Sequence, residues 1–449
     1  MDGKDLIFKT MNHKKTNKIP WVPFTGIHVG KLKGYSAIEI LKSKEKLVES
    51  LLESNKIYKP DGQPVIFDLQ IEAEILNCKL KWLNNSPPIV VEHPYERSKD
   101  ILKKIPKKSE GRLPIVLEAM KEMKEEIGEE TALFGLICGP FTLASHLRGT
   151  QLYMDMVLDP EYVLRLIEYT TEVALTMAKY YINAGMDIIA AVDPMVSQIS
   201  PDHFNEFLRK PYSKLFDFIR DLNKFSSFFV CGDATKNIQP MCKTGPDSLF
   251  VDENVNLIEA KKISDEYNII IGGNIPLTTV MLHGNQEDNM KYVIDLIDRV
   301  DSKNLIISPG CDMPYDIPKE NVISIEQAIH QTEKYREIIK NYEKVEENIR
   351  IELPDYSNLN KPLIEVFTLN SDTCAACTYM LSAAEDFKVK YEDNVEVKEY
   401  KFNNKKSIAR MQKLNVEKLP SIYVNGELKF SSKVPNYIEL KEAVQLKSN

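Results

Sequence analysis

Apolar positions in this chain cluster in short runs rich in β-forming residues, and each run leads into a stretch where apolar residues recur every three or four positions. Eight such runs stand at 20–24, 64–67, 133–138, 187–192, 227–231, 248–251, 269–272 and 305–308. Strands alternating with helices predict βα units on a parallel sheet, and eight units over about 310 residues fit a closed (β/α)8 TIM barrel better than an open sheet. One intervening helix is sharply punctuated: Asp159 and Pro160 supply its N-cap and first position, and Gly185 ends it. Between them Val163, Leu166, Ile167, Thr170, Ala174, Met177, Ala178 and Tyr181 share one face, predicted to pack on the barrel.

A long helical pattern over 323–345 closes a first domain predicted at 1–345. The next stretch, 346–361, is polar and irregular around Pro354 and reads as a linker. Beyond it the pattern is β-α-β-α-β-β-α, a second and smaller α/β domain at 362–449.

Composition narrows the class. Apolar residues make up 43% and charged residues 28%, values of a folded globular chain. Lys plus Arg number 58 against 66 Asp plus Glu, a net charge of −8 with no compensating basic cluster, which argues against nucleic acid as a partner. The charged opening Met1-Asp2-Gly3-Lys4-Asp5 and the lack of any run long enough to span a bilayer predict a cytoplasmic protein without a membrane partner. Seven widely spaced cysteines do not make a disulfide framework; they read as core residues, metal ligands or redox pairs.

A (β/α)8 barrel carries its chemistry at the C-terminal ends of its strands. The residues just past the eight runs are polar: His28, Asp68, Cys138, Asp193, Cys231 with Asp233, Asp252, Asn274, and Cys311 with Asp312. Asp68 is a candidate catalytic carboxylate, and Asp252 and Asn274 are candidate cofactor contacts. Cys231 and Cys311 follow the fifth and eighth runs and can converge across the mouth, where two thiolates begin a zinc site that needs a further donor. The competing reading is that both are small core residues. Gly272-Gly273-Asn274 lacks the spacing of a dinucleotide-binding loop, so no nicotinamide cofactor is implied.

Several ordered stretches resemble the uroporphyrinogen decarboxylase superfamily, and within it the branch of corrinoid-dependent methyltransferases of the methylcobalamin:coenzyme M type. They are Gly139-Pro140-Phe141-Thr142-Leu143-Ala144, Ile199-Ser200-Pro201 leading to Pro211-Tyr212, Cys231-Gly232-Asp233-Ala234-Thr235, Gly273-Asn274-Ile275-Pro276, and Ser308-Pro309-Gly310-Cys311-Asp312-Met313-Pro314. The resemblance implies a (β/α)8 barrel. It also implies a zinc held by a His-x-Cys motif and a distant Cys, activating an acceptor thiol for attack on a corrinoid-bound methyl group. By that resemblance Cys231 and Cys311 are the two cysteine ligands, whereas Phe229 stands where the histidine is expected. Asp193 is the foremost candidate for the missing donor, ahead of His146 and His28.

The second domain carries Cys374-Ala375-Ala376-Cys377 between a strand and a helix. That placement sets Cys374 at a helix N-terminus, where backbone N–H groups favour a thiolate, with Cys377 as its resolving partner. The topology and Leu419-Pro420 before a strand resemble the thioredoxin/glutaredoxin-like fold, in which the matching proline is cis.

The sequence therefore predicts a two-domain enzyme with Cys231, Cys311 and Asp193 as metal ligands and Cys374, Cys377 and Asp68 as catalytic residues. Its reaction is zinc-dependent methyl transfer between a corrinoid, free or on a partner protein, and a thiol or other acceptor. The family resemblance is compatible with a homodimer. The redox pair would keep Cys231 and Cys311 reduced or present a thiol to the barrel. Two alternatives stand beside this: a decarboxylase of tetrapyrrole carboxylates, disfavoured because no Arg precedes Arg97, and a corrinoid-binding or redox-sensing module without catalysis.

Overall fold

Seven of the eight apolar runs become strands of one parallel sheet. In spatial order they are Gly62–Pro64, Ala132–Cys138, Ile188–Val192, Phe225–Val230, Ser248–Val251, Ile270–Ile275 and Leu305–Pro309. The eighth run, at 20–24, forms no regular strand, because Pro20 and Pro23 remove amide donors on both sides of Trp21. Trp21 nevertheless bridges to Ile307 on one edge strand, and its carbonyl accepts from the Asp61 and Gly62 amides at the other. The computed structural model describes residues 2–343, 349–371, 374–391 and 393–445. The chain divides near Glu343 into two compact units.

The sheet of the N-terminal unit is strongly curled. Phe134 and Phe250 sit on strands separated by two others, a flat-sheet distance of about 14 Å, yet their ring centroids lie 6.2 Å apart. Phe24 joins them and also meets Phe67 and Phe229, at 6.3 and 4.7 Å. Five phenylalanines thus fill the concave side, and Phe229 is one of them. The punctuated helix forms as Pro160–Asn183, with the Asp159 side chain accepting from the Tyr162 amide and the predicted face buried.

The pattern read as one helix over 323–345 is two helices, Lys319–His330 and Thr332–Ile338. The backbone leaves helical geometry at Gln331, and the Thr332 hydroxyl donates to the Ile329 carbonyl, satisfying an acceptor that the broken ladder exposes. Residues 344–348, at the end of that pattern and the start of the predicted linker, lie outside the described residues, as do 372, 373, 392 and 446–449 in the predicted second domain.

The C-terminal unit is a four-stranded sheet ordered Glu396–Lys401, Leu363–Thr368, Ser421–Val424, Glu427–Ser431, the first pair parallel and the others antiparallel. Period-two alternation splits its central strand between two cores. Ile364 and Val366 pack with Met380, Phe387, Leu440 and Val444, while Phe367 packs with Met411, Leu419 and Tyr423. Glu365, fully buried on that strand, is held by Arg410 at 2.7 Å and by the Tyr356 hydroxyl at 2.7 Å. Tyr356 belongs to the stretch read as linker, which therefore packs on this unit there and at Ile351, whose carbonyl accepts from Lys413.

Candidate functional site

Cys231 directly follows the strand Phe225–Val230 and Cys311 follows Leu305–Pro309, so both lie at the C-terminal end of the sheet. The two are joined as a disulfide, with Cα atoms 5.7 Å apart across 80 sequence positions. Their convergence has a local cause. The segment after the strand Ser248–Val251 holds both loops: the Gly232 amide donates to the Asp252 carboxyl, and Gly310 lies flat against Glu253. A Cβ on Gly310 would stand 2.7 Å from the Glu253 nitrogen, so this close approach requires glycine.

Asp193 ties together three elements around the same mouth. Its Oδ1 accepts from the Thr142 amide (3.0 Å) and hydroxyl (2.6 Å), and its Oδ2 from the Phe141 amide (2.9 Å) and the Tyr212 hydroxyl. Burial pushes this carboxyl up to about 6, against the lowering effect of those donors. Asn274 and Asp252 are likewise spent on the fold. Asn274 Nδ2 donates to the carbonyls of Asp252 (2.9 Å) and Val255 (2.7 Å), and Asp252 Oδ1 accepts from the Asn254 amide (2.9 Å).

Asp68 faces Arg112, a residue that the sequence reading passed over. Arg112 pairs with Asp68 through Nη1 and donates from Nε to Glu74 at 2.7 Å, with its guanidinium 4.9 Å from the centre of the Trp82 ring. Glu72, also missed, gives one oxygen to the Cys138 amide at 3.0 Å and leaves the other without a hydrogen-bond partner in a fully buried position. Burial pushes Glu72 up to about 7 against the lowering effect of the hydrogen bonds it accepts, with the Asp68 charge adding to the rise. Asp312 is raised well above the carboxylate range by burial and then by Asp68. The signals for Arg112 were its isolation as an early arginine and its place directly before a helix with proline at its start.

The zinc implied by the resemblance can be tested against these donors. The two sulfurs are bonded to each other, both oxygens of Asp193 are committed, and Phe229 lies in the aromatic cluster. His28 is held neutral between the Tyr58 hydroxyl (2.7 Å) and the Tyr315 carbonyl (3.0 Å), lowered to about 4 by burial. His146 is fully buried and lowered to about 3, again by burial. Among the described residues no group of three or more His, Cys, Asp or Glu side chains is arranged to hold a metal. The donor set does not fit a three-ligand zinc site.

In the C-terminal unit Cys374 caps the helix Ala375–Lys390, and its sulfur accepts from the Cys377 amide at 3.2 Å. Cys377 is buried, and its thiol is raised well above the usual range by burial and then by Cys374. The Leu419–Pro420 bond is cis. Among the described residues no helix is long and apolar enough to cross a membrane.

Comparison with known proteins places this geometry. A methyltransferase from Methanosarcina mazei of known structure superposes with a TM-score of 0.68 at 22% identity, covering 74% of this chain and 99% of that one, which shows a shared fold. The methylcobamide:CoM methyltransferase MtbA of Methanosarcina acetivorans is 27% identical over 327 residues, 71% of this chain and 95% of that protein. A uroporphyrinogen decarboxylase of Trichodesmium erythraeum is 26% identical over 287 residues, 61% of this chain and 79% of that protein. The family model "Uroporphyrinogen decarboxylase (URO-D)" matches residues 2–332. With three quarters of its length matched, and with polar residues and a cysteine pair gathered at the strand ends, this chain belongs to the uroporphyrinogen decarboxylase (URO-D) family.

Proposed function

We propose that the N-terminal unit is a corrinoid-dependent methyltransferase that moves a methyl group between a corrinoid, free or carried by a partner protein, and a thiol acceptor. The observation that carries this reading is the match to the MtbA methyltransferase over 95% of that protein's length. The mouth chemistry supports it against decarboxylation. Holding the acidic side chains of a tetrapyrrole calls for guanidinium groups with charge to spare, whereas the Arg112 charge is already shared by Asp68 and Glu74. In the transfer the acceptor sulfur gives up its proton, a C–S bond forms, and the cobalt–carbon bond breaks with its electron pair left on cobalt. The buried Asp68–Arg112 pair fixes one wall of the mouth, and Asp193 fixes another by clamping the turn at Phe141 and Thr142. The thiol proton passes to water, because the Glu72 carboxyl is buried away from solvent. A zinc-dependent version of the reading lacks its third donor. A cytoplasmic location and a homodimer go with the proposal.

The C-terminal unit, in the same proposal, is a thioredoxin-like thiol–disulfide exchange domain. Cys374 is the attacking sulfur and Cys377 the buried resolving one. The N-cap position of Cys374, the donor on its sulfur and the proline before the strand at Ser421 support that assignment.

The test is spectroscopic. The reduced full chain, mixed anaerobically with methylcobalamin and 2-mercaptoethanesulfonate, is expected to convert the methylcorrinoid absorption to that of cob(I)alamin in proportion to protein. A spectrum that stays unchanged with this and other small thiols removes the reading.

A further inference from the structure

The mismatch between the implied zinc site and the donors present points further. We propose that Cys231 and Cys311 are a reversible dithiol/disulfide couple at the mouth of the sheet, a redox site standing where relatives of the methyltransferase branch are expected to hold a metal.

Four observations converge on it. The pair is assembled by backbone packing that acts on both loops at once, through the Gly232 amide on Asp252 and through Gly310 on Glu253, so no ion is needed to draw the sulfurs together. Of the donors that could complete a metal site, Asp193 is spent on four hydrogen bonds and His28 on two, and His146, whose ring nitrogens make no hydrogen bond, belongs to no group of three metal-binding side chains among the described residues. Phe229 is built into a ring cluster with Phe24, Phe67 and Phe250, a position that stabilises the core and supplies no donor. Finally, Cys231 and Cys311 are half-buried, within reach of a small thiol, whereas Cys78, Cys138 and Cys242 are buried, and burial raises the thiols of Cys78 and Cys242 to about 12. Reactivity follows exposure and thiolate character, so the mouth pair reacts and the other three do not.

The step balances with a dithiol as the reductant. Its thiolate attacks one sulfur of the Cys231–Cys311 bond, forming a mixed disulfide and releasing the other cysteine as a thiolate that takes a proton. The second thiol of the reductant then displaces the remaining cysteine. Two electrons and two protons reach the pair, and the reductant leaves as its own disulfide. The inference stands apart from methyl transfer and holds whether or not the mouth performs it.

The experiment equilibrates the full chain with mixtures of reduced and oxidised dithiothreitol, quenches in acid, alkylates and maps the cysteine peptides by mass spectrometry. A linked 231–311 peptide is expected to rise as the buffer becomes more oxidising and to vanish on full reduction, while Cys78, Cys138 and Cys242 stay reduced. Gly310→Ala, which pushes the Cys311 loop off Glu253, is expected to shift the midpoint so that a several-fold more oxidising mixture is needed. In parallel the reduced wild type and Cys231→Ser are supplied with zinc and analysed for bound metal, and equal low contents are expected. Failure to form the linked peptide in any mixture overturns the proposal. So does about one zinc per chain in the wild type that Cys231→Ser loses.

Discussion

The N-terminal unit brings Cys231 to Cys311 across 80 positions, whereas the C-terminal unit keeps Cys374 and Cys377 three apart at the start of one helix. The first pair is a product of tertiary structure, and its geometry depends on the Asp252–Glu253 segment, on two glycines and on the curl of a seven-stranded sheet. The second is a product of local structure and needs only a strand, a turn and a helix N-terminus. Each unit also buries a carboxylate against one arginine, Asp68 with Arg112 in the first and Glu365 with Arg410 in the second. The difference teaches where each site is vulnerable: the mouth pair to packing changes far from it in sequence, the helix-start pair to changes beside it.

The largest expected effect breaks the comparison on the C-terminal side. Arg410→Ala leaves the fully buried Glu365 carboxyl held by Tyr356 alone and is expected to cost about 3–5 kcal/mol. Denaturant unfolding of the full chain should show this loss in the transition that exposes the C-terminal unit, with thiol reactivity at Cys231 and Cys311 unchanged. Coincident loss of both would mean that the two units do not unfold separately.

On the other side, Phe229→Ala opens a cavity among Phe24, Phe67 and Phe250 and is expected to cost about 3–4 kcal/mol. Phe229→His, which recreates the His-x-Cys pattern, trades that packing for a donor beside Cys231. It should bind zinc measurably better than the wild type by elemental analysis, at a lower melting temperature. Unchanged stability in both variants would contradict the structural role assigned to Phe229.

This residue also shows what the sequence could and could not tell. The βα alternation, the N-capped helix at 160 and the Cys-x-x-Cys motif are local patterns, and period and punctuation were enough to read them. Phe229 was legible as a departure from a motif, but its place in a five-ring cluster depends on strands whose curvature no local pattern records. Asp193 reads as a candidate metal donor just past a strand, and it does lie at a strand end. Its four donors come from residues 141, 142 and 212, so only the assembled fold shows that its oxygens are taken. The pairing of Arg112 was hidden for the same reason: its partners Asp68 and Glu74 lie about 40 positions earlier. The break at Gln331 escaped because Ala328, Tyr335, Ile339 and Tyr342 keep helical spacing across the polar stretch 330–334.

A smaller effect concerns pH. Glu72 has a folded value near 7, above its unfolded value, so the folded chain holds a proton that the unfolded chain has lost. The stability this contributes is present at low pH and is lost as pH rises from about 4 through 7. Glu72→Gln removes the dependence and keeps an acceptor for the Cys138 amide. Relative to the wild type the variant should gain up to about 3 kcal/mol between pH 5 and pH 8, read from paired denaturation curves. A constant difference across that range would show that Glu72 ionises as an ordinary carboxylate.

The smallest expected effect sharpens the account of the stretch once read as linker. Tyr356→Phe removes one hydrogen bond to the buried Glu365 carboxylate and should cost about 1.5 kcal/mol, confined to the C-terminal transition. No change would place 349–361 off the unit in solution.

The central claim, methyl transfer at the mouth of the N-terminal unit, is tested most directly by following the methyl group itself. The reduced full chain is supplied with deuteromethyl-labelled methylcobalamin and 2-mercaptoethanesulfonate under anaerobic conditions, and the thiol is analysed by mass spectrometry. The account predicts the trideuteromethyl thioether, formed in step with loss of the methylcorrinoid and absent without protein. Label retained on the corrinoid, together with release of carbon dioxide from a tetrapyrrole carboxylate by the same preparation, would contradict it.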